Sequence, residues 1–185
     1  MRVLKALFGG FIALVLTACV SLTIPPPSEQ VSTLLALPFV LDSRSQQGGP
    51  MGFHYIYDIA STDGGGIRQS VKFKERQDKD IMLVDSLPPG EFRVVSISLV
   101  PAGSGEHTYG NNKQAVDFRF RMEAGKITVF PKLLTVERYN ATVGRGMSTN
   151  YRDTVSDLSS DKLDEIVKIL SELPNYEMWT VAETW

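Results

Sequence analysis

The chain is poor in the residue types that metal sites, disulfides and catalytic triads need. It holds one cysteine and two histidines in 185 residues, so an internal disulfide is excluded and little is left for a histidine-based site. Basic and acidic residues number 19 and 21, which leaves no bulk positive charge of the kind that binds nucleic acid. The 43% hydrophobic and 22% charged content is that of an ordinary globular protein, and the length fits one domain.

The N-terminus has the layout of a secretory signal peptide over residues 1–18. Arg2 and Lys5 precede the apolar stretch Ala6–Ala18, which contains no charged residue. This apolar stretch is too short for an ordinary transmembrane helix, which needs about 20 residues. We therefore expect a cleaved signal peptide and export from the cytoplasm.

The end of this segment, Leu16-Thr17-Ala18-Cys19, resembles the lipobox of bacterial lipoproteins. The resemblance implies a diacylglyceryl group on Cys19, cleavage before it, and acylation of the new amine by a chain such as palmitate. The alternative is a plain secretory signal that ends in cysteine. Two or more acyl chains anchor a protein firmly in a bilayer. The resemblance therefore implies that the protein is bound to a membrane through its N-terminal lipid.

The residues after Cys19 indicate where the lipoprotein would be sorted. Val20 and Ser21 follow, and by resemblance to the sorting rule of Gram-negative lipoproteins the lack of Asp favours the outer membrane. We expect the body in the periplasm, where a cysteine-free mature domain is suitable. The inner membrane and exposure at the cell surface stay open.

The mature chain begins with a lipidated, proline-rich tether over residues 19–30, containing Pro25-Pro26-Pro27. From Val31 to about Val136, apolar and polar residues alternate as in an antiparallel β-sandwich, most clearly in Val116–Met122, and we expect the sandwich domain over residues 31–155. That strand predicts Phe118 and Phe120 in the core. The expected fold is mainly β, with about seven strands: Leu34–Leu41, Phe53–Ile59, Ile67–Lys74, Ile81–Val84, Phe92–Leu99, Val116–Met122 and Ile127–Val136.

Residues 156–185 predict one C-terminal helix and an aromatic tail packed on the sandwich. Ser159 or Ser160 is placed to cap the helix, and Pro174 to close it. The apolar stripe of the helix could instead be a partner-binding face, as could the tail. The stripe is Leu163, Ile166, Val167 and Leu170, and the tail contains Tyr176, Met178, Trp179, Val181 and Trp185.

One internal stretch suggests a fold family. The run from Asp85 to Val95 contains Leu87-Pro88-Pro89-Gly90-Glu91-Phe92, in which proline sets a turn and glycine permits positive φ before a strand. It resembles the L-x-P-G-x-[YF] turn of transthyretin-like and carboxypeptidase-regulatory-like sandwiches, including small uncharacterised lipoproteins. A second segment of such lipoproteins resembles Met122–Val129. The resemblance covers about residues 81–136 and implies a sandwich, while it says almost nothing of activity.

The search for chemistry yields one candidate binding loop, Pro101–Lys113. Its amides and aromatic ring suit sugar or peptide contact, and the alternative is a mobile hairpin tip in which Gly110 and the two Asn residues only form turns. The candidates are His107, Tyr109, Asn111 and Asn112. No metal-ligand spacing, phosphate loop or nucleophile motif is present, so no catalytic residue, metal or cofactor is assigned. A basic face on the sheet is also expected, formed by Arg119, Arg121, Lys72 and Lys74. It could bind anionic lipid or glycan, or its charges could serve only for solubility.

These observations leave three hypotheses. The first is a non-enzymatic binding or structural module of the cell envelope, with an envelope protein or glycan as partner. The second is an accessory lipoprotein subunit of an envelope secretion or assembly machine. The third is an envelope hydrolase whose acids converge only in the fold, drawn from a cluster around the helix: Asp153, Asp157, Asp161, Asp164 and Glu165.

Overall fold

The computed structural model describes residues 23–43, 53–62, 68–74, 80–101, 112–143 and 146–182. In these ranges lie one α-helix, α1 (Ser160–Ser171), and a 3-10 turn, Tyr176–Met178. The strands are β1 (Leu34–Ser43), β2 (Phe53–Ser61), β3 (Arg68–Lys74), β4 (Ile81–Val84), β5 (Gly90–Pro101), β6 (Asn112–Met122), β7 (Lys126–Val129), β8 (Lys132–Val143), β9 (Gly146–Asp157) and β10 (Thr180–Val181).

The described strands form two sheets, so the predicted mainly β sandwich with a C-terminal helix is confirmed. One sheet has four antiparallel strands in the order β3-β2-β5-β6. The other has the order β10-β7-β1-β8-β9, and β4 lies off this path, paired antiparallel with β1 at Leu35–Pro38. The aromatic-rich core between the sheets includes Phe92 stacked on Phe120, with ring centroids 5.8 Å apart.

The second sheet differs from a purely antiparallel arrangement at β1. This strand pairs in parallel with β7 at Leu34–Ala36 and then with β8 at Phe39–Ser43. The stretch Ile127–Val136, expected as one strand, is divided at Phe130 and Pro131, because proline has no N–H to donate to a ladder. The Phe130 N–H still donates to the Ala36 carbonyl at 2.9 Å, which keeps both halves beside β1.

The sequence pattern missed one long strand, β9. The strand lies at the end of its sheet and pairs with β8 along its full length, from Lys132↔Asp157 to Val143↔Gly146. Its polar residues Arg152, Thr154 and Ser156 are exposed, while Val155 packs on the core. With few apolar residues facing inward, the alternation was too weak to predict it.

Two glycines, one at the start of β5 and one between β6 and β7, adopt positive φ. Gly90 has a φ of 153° at the start of β5, and Gly125 has a φ of 73° in the turn between β6 and β7. The side chain of Leu87, just before the first turn, is buried, and its carbonyl accepts a hydrogen bond from the Thr33 hydroxyl. Because residues with a side chain rarely adopt the positive φ of Gly90 and Gly125, the backbone conformation requires glycine at both turns.

Helix α1 covers the second sheet and makes a third layer. Side chains of β1 alternate, so Leu35 and Leu37 face the four-stranded sheet while Leu34 and Ala36 face the helix. Ser159 caps the helix by accepting from the Lys162 N–H at 3.3 Å. The helix buries Ile166 and Leu170 completely, and Leu163 and Ile169, rather than Val167, pack partly beside them.

Candidate functional site

Most of the predicted binding loop lies outside the described residues. His107, Tyr109 and Asn111 belong to this part, as do Cys19 and the signal peptide. Asn112 is the first residue of β6, where its backbone pairs with Leu99 of β5. The loop therefore starts and ends on the four-stranded sheet, and its last residue, Lys113, is already part of that sheet.

Beside the base of this loop, the solvent-facing side of the four-stranded sheet, here called the outer face, carries a polar cluster around Asp58. The Asp58 carboxylate accepts hydrogen bonds from Ser70 Oγ at 2.7 Å and Ser96 Oγ at 2.5 Å. Lys113 Nζ lies 3.0 Å from the same carboxylate. The three partners come from β3, β5 and β6, because sheet register sets Asp58 between Ser70 and Ser96.

These contacts fix the charge state of Asp58. Hydrogen bonds from Ser96 and Ser70, followed by the contact with Lys113, lower the pKa of Asp58 to about 2, against partial burial that acts in the opposite direction. The carboxylate is therefore ionised at neutral pH with several acceptor positions filled. Such a group is suited to holding Lys113 at the base of the loop, and poorly suited to general acid catalysis.

Arginines line the other end of the outer face. Arg121 Nε lies 3.6 Å from Glu91, and Arg93 lies 3.9 Å from Asp117; all four side chains are largely exposed. Arg119 is exposed and has no ion pair within the described ranges. Exposed ion pairs contribute at most about 1 kcal/mol each, so these charges are available to an external partner.

Two shallow depressions adjoin this arginine region. One is formed by Glu91, Arg119, Phe120 and Arg121. The second, with a volume of about 500 Å³, lies where β5 begins and β6 ends. It is lined by Pro89, Gly90, Glu91, Arg121, Met122, Glu123 and Ala124.

The expected strip of four basic residues is not continuous. Lys72 and Lys74 lie on β3, and Arg119 and Arg121 lie on β6, at opposite edges of the four-stranded sheet. Strands β2 and β5 separate them, and Asp58 lies on β2. The sequence showed that these residues alternate with apolar ones, but not which strands are neighbours.

Three of the five acidic residues around the helix have separate structural partners, and the other two, Asp161 and Asp164, are exposed. Asp153 of β9 accepts from Gln114 Nε2 of β6 at 2.9 Å, and Asp157 pairs with Lys132 on the neighbouring strand. Glu165 lies 2.9 Å from Lys162 Nζ, which also contacts Asp80 at 2.7 Å. Within the ranges that the structure describes, no three His, Cys, Asp or Glu side chains are grouped closely enough to hold a metal ion.

Part of the expected tether is docked on the body at Ile24 and Pro25, whereas Pro26 and residues 28–30 are exposed. Ile24 is fully buried, in one cluster with Leu170 and Trp179. Asn175 Nδ2 donates to the Ile24 carbonyl at 2.8 Å, and Trp179 Nε1 donates to the Pro25 carbonyl at 2.9 Å. Prolines lack a donor but keep their carbonyl acceptors, so a proline-rich segment can still be held by side-chain donors. Residues 24–31 are called the strap below.

Sequence reasoning missed both the Asp58 cluster and the strap. Alternation assigned Asp58 to the polar side of its strand, but its partners lie 12, 38 and 55 positions away. The strap contains a single large apolar residue before its prolines, Ile24, and its donors lie more than 150 positions away. Neither set of contacts leaves a local signal in the sequence.

The fold and these sites define a mainly β protein in which a two-sheet sandwich carries a helix on one side and a polar face on the other. No protein-family model, curated protein or solved structure matches the chain. Among the described residues, no helix has the length and apolar character needed to cross a membrane.

Proposed function

We propose that this protein is a lipid-anchored lipoprotein of the bacterial cell envelope that acts as a non-enzymatic binding or structural module. In this proposal Cys19 carries the lipid in the outer membrane, the body lies in the periplasm, and the sandwich is of the transthyretin-like kind. The outer face and the loop Pro101–Lys113 meet an envelope protein or glycan.

One structural observation supports a division between an anchoring side and a binding side. The chain enters the body through the strap in the helix layer, whereas the Asp58 cluster and Arg119 lie on the far side of the sandwich. A partner bound at the outer face would therefore not compete with the anchor for space. The exposed arginines favour a partner with negative charge, such as an acidic protein surface or anionic glycan.

A second candidate, an accessory subunit of an envelope machine, is favoured by the β8–β9 hairpin. Pairing with β1 ends at Arg138, but the hairpin continues to Val143 and Gly146 with β8 and β9 paired to each other. Within the described ranges this distal part has no further strand beside it. Such an arm offers unpaired strand edges to a neighbouring subunit.

The anchor is tested by mass spectrometry of the membrane-extracted protein and of Cys19→Ser. We expect the natural chain to begin at a lipid-modified Cys19, and Cys19→Ser to lose both acylation and cleavage at this site. An unmodified Cys19 in the mature chain would refute the localisation.

The binding side is tested by photocrosslinking in intact cells. A photoreactive residue replaces the exposed Asp117 on the outer face or, as the matched control, the exposed Glu172 at the end of α1. We expect a discrete envelope adduct from position 117 that is lost with Arg119→Ala, because the exposed arginines attract the partner, and no such adduct from position 172. The reverse pattern would assign binding to the helix side.

A further inference from the structure

The strap is held firmly at both ends. Ile24 has no exposed surface, and the donors of Asn175 and Trp179 take up the carbonyls of Ile24 and Pro25. At the other end, Val31 packs partly against the same buried cluster. A local turn within the strap precedes this contact: the Ser28 N–H donates to the Val31 carbonyl at 2.9 Å, and the Val31 N–H donates to Ser28 Oγ at 3.0 Å. Residues 24–31 therefore belong to the folded body.

This docking shortens the reach of the chain between the body and a lipid on Cys19. Only residues 20–23 lie between Cys19 and Ile24, and five Cα–Cα steps span at most about 18 Å. A free tether from Cys19 to Val31 would span roughly 40 Å by the same measure. The point where the strap enters the body is thus restricted to the immediate neighbourhood of the lipidated residue.

The surface beside this entry point contains an exposed apolar side chain. Met178 is 51% exposed, the one large hydrophobic residue of the described chain with this exposure. It lies in the 3-10 turn between Asn175 and Trp179, the two residues that hold the strap. The exposed Glu172 and Glu177 lie nearby in the sequence. Both carry negative charge, so electrostatic attraction to anionic lipid does not explain membrane contact at this surface.

On the basis of the lipidation proposed above, we propose that the surface around Met178 and the strap lies against the bilayer that holds the Cys19 lipid. The lipid and the short linker keep it there, and the apolar Met178 side chain contacts the lipid interface. The outer face then points away from the membrane, because each packed layer adds about 10 Å. Orientation is set by the strap and not by adsorption of the body.

The test uses the full lipidated chain in vesicles of phosphatidylethanolamine and phosphatidylglycerol. Because Cys19 is the only native cysteine and carries the lipid, Met178→Cys and Asp117→Cys each supply one free thiol for a fluorophore. Asp117 is the matched control, since its side chain is 60% exposed and lies on the outer face. We expect nitroxide-bearing lipids to quench the label at position 178 at least twofold more than the label at 117.

A third variant separates tethering from adsorption by inserting ten Gly and Ser residues between Leu22 and Thr23, which leaves the strap intact. Quenching at position 178 should fall toward that at 117 in this variant. Unchanged quenching would mean that the body adsorbs by itself, and equal quenching at 178 and 117 without the insertion would overturn the orientation.

Mass spectrometry of the same samples distinguishes a failure of the proposed lipidation from a failure of the proposed orientation. An unmodified Cys19 overturns the proposed function and this orientation with it. A lipidated Cys19 with an unquenched label at position 178 overturns the orientation alone.

Discussion

Asp58 is an aspartate on an exposed sheet whose carboxylate is held by donors from three other strands. Its side chain is 27% exposed, which is enough burial for these contacts to matter energetically. The charge organises Ser70, Ser96 and Lys113 at one point, directly beside a register shift in β2 and β5. Asp58 thereby links the irregular part of the sheet to Lys113, the last residue of the candidate binding loop.

The low pKa of Asp58, about 2 in the fold against an ordinary 3.8, predicts a pH-dependent contribution to stability. Because the folded pKa is depressed, the contribution is present above about pH 4 and disappears as the pH falls through 2. It amounts to about 2 kcal/mol. Asp58→Asn should lose this amount at pH 7, as measured by urea denaturation.

The control is Asp117→Asn, which alters an exposed carboxylate on the same sheet. It should change the free energy of unfolding by less than about 0.5 kcal/mol. The difference between natural protein and Asp58→Asn should shrink from pH 4 to pH 2. A constant difference over that range would contradict the assigned role.

Phe120 and Phe118 were both expected in the core, and the structure separates them by burial. Phe120 is 2% exposed and contacts Phe92 and Phe130, whereas Phe118 is only partly buried, with Lys132 over its ring. Phe120→Ala should therefore cost about 3–5 kcal/mol, and Phe118→Ala distinctly less. Denaturation midpoints of the two variants test this; equal costs would contradict the difference in burial.

At the scale of elements, α1 is a cover for the second sheet. A helix of 12 residues is marginal on its own, and here its apolar side meets Leu34, Ile127 and Val129. Lys162 adds a link to β4 through Asp80, and its pKa is raised because the hydrogen bonds and charges of Asp80 and Glu165 outweigh its burial. The helix stabilises the second sheet by burying its apolar surface, and the ion pair between Lys162 and Asp80 helps to hold the helix in position.

Removing residues 159–185 should expose this apolar sheet surface. We expect a lower melting temperature or insoluble protein, because Leu34, Ala36 and Ile127 are fully buried only with the helix layer in place. The milder control Ser159→Ala removes the cap alone and should cost about 1 kcal/mol while leaving the protein soluble. A truncated chain that melts at the natural temperature would make the helix an interaction element instead.

At the scale of the whole molecule, the strap and the C-terminal segment join the two ends of the described chain. Strand β10 completes this region by pairing in parallel with β7, and the Ala182 N–H donates to the Ile127 carbonyl at 2.9 Å. The Ile24 side chain lies in the cluster of Leu173 and Trp179. Early and late parts of the sequence therefore stabilise one another.

Ile24→Ala tests this coupling, because it leaves a cavity beside Leu170, Leu173 and Trp179. We expect a loss of about 2–5 kcal/mol in the free energy of unfolding. Thr23→Ala alters the exposed neighbouring residue and should leave stability unchanged. Calorimetry on both variants measures the melting temperature. An unchanged melting temperature for Ile24→Ala would contradict the docking and would mean that residues 24–30 act as a tether.

Local patterns were sufficient to predict much of the fold. The alternation in β6 correctly separated Phe120 and Met122, which are buried, from the exposed Arg119 and Arg121. The helix and its buried Ile166 and Leu170 followed from the 3.6-residue period, and the capping preference of serine left Ser159 or Ser160 as the cap, of which the structure uses Ser159. These features are determined by the sequence because solvent partition and capping act between residues that are close along the chain.

Tertiary structure alone decided which strands are neighbours and what the candidate sites contain. Every strand presents the same backbone donors and acceptors, so alternation identifies the inward side without identifying the partner. The parallel pairing of β1 with β7 and β8 therefore depended on the assembled sheets. Asp58 obtained its three donors, and Ile24 its pocket, for the same reason: both need contacts between segments that only the folded chain brings together.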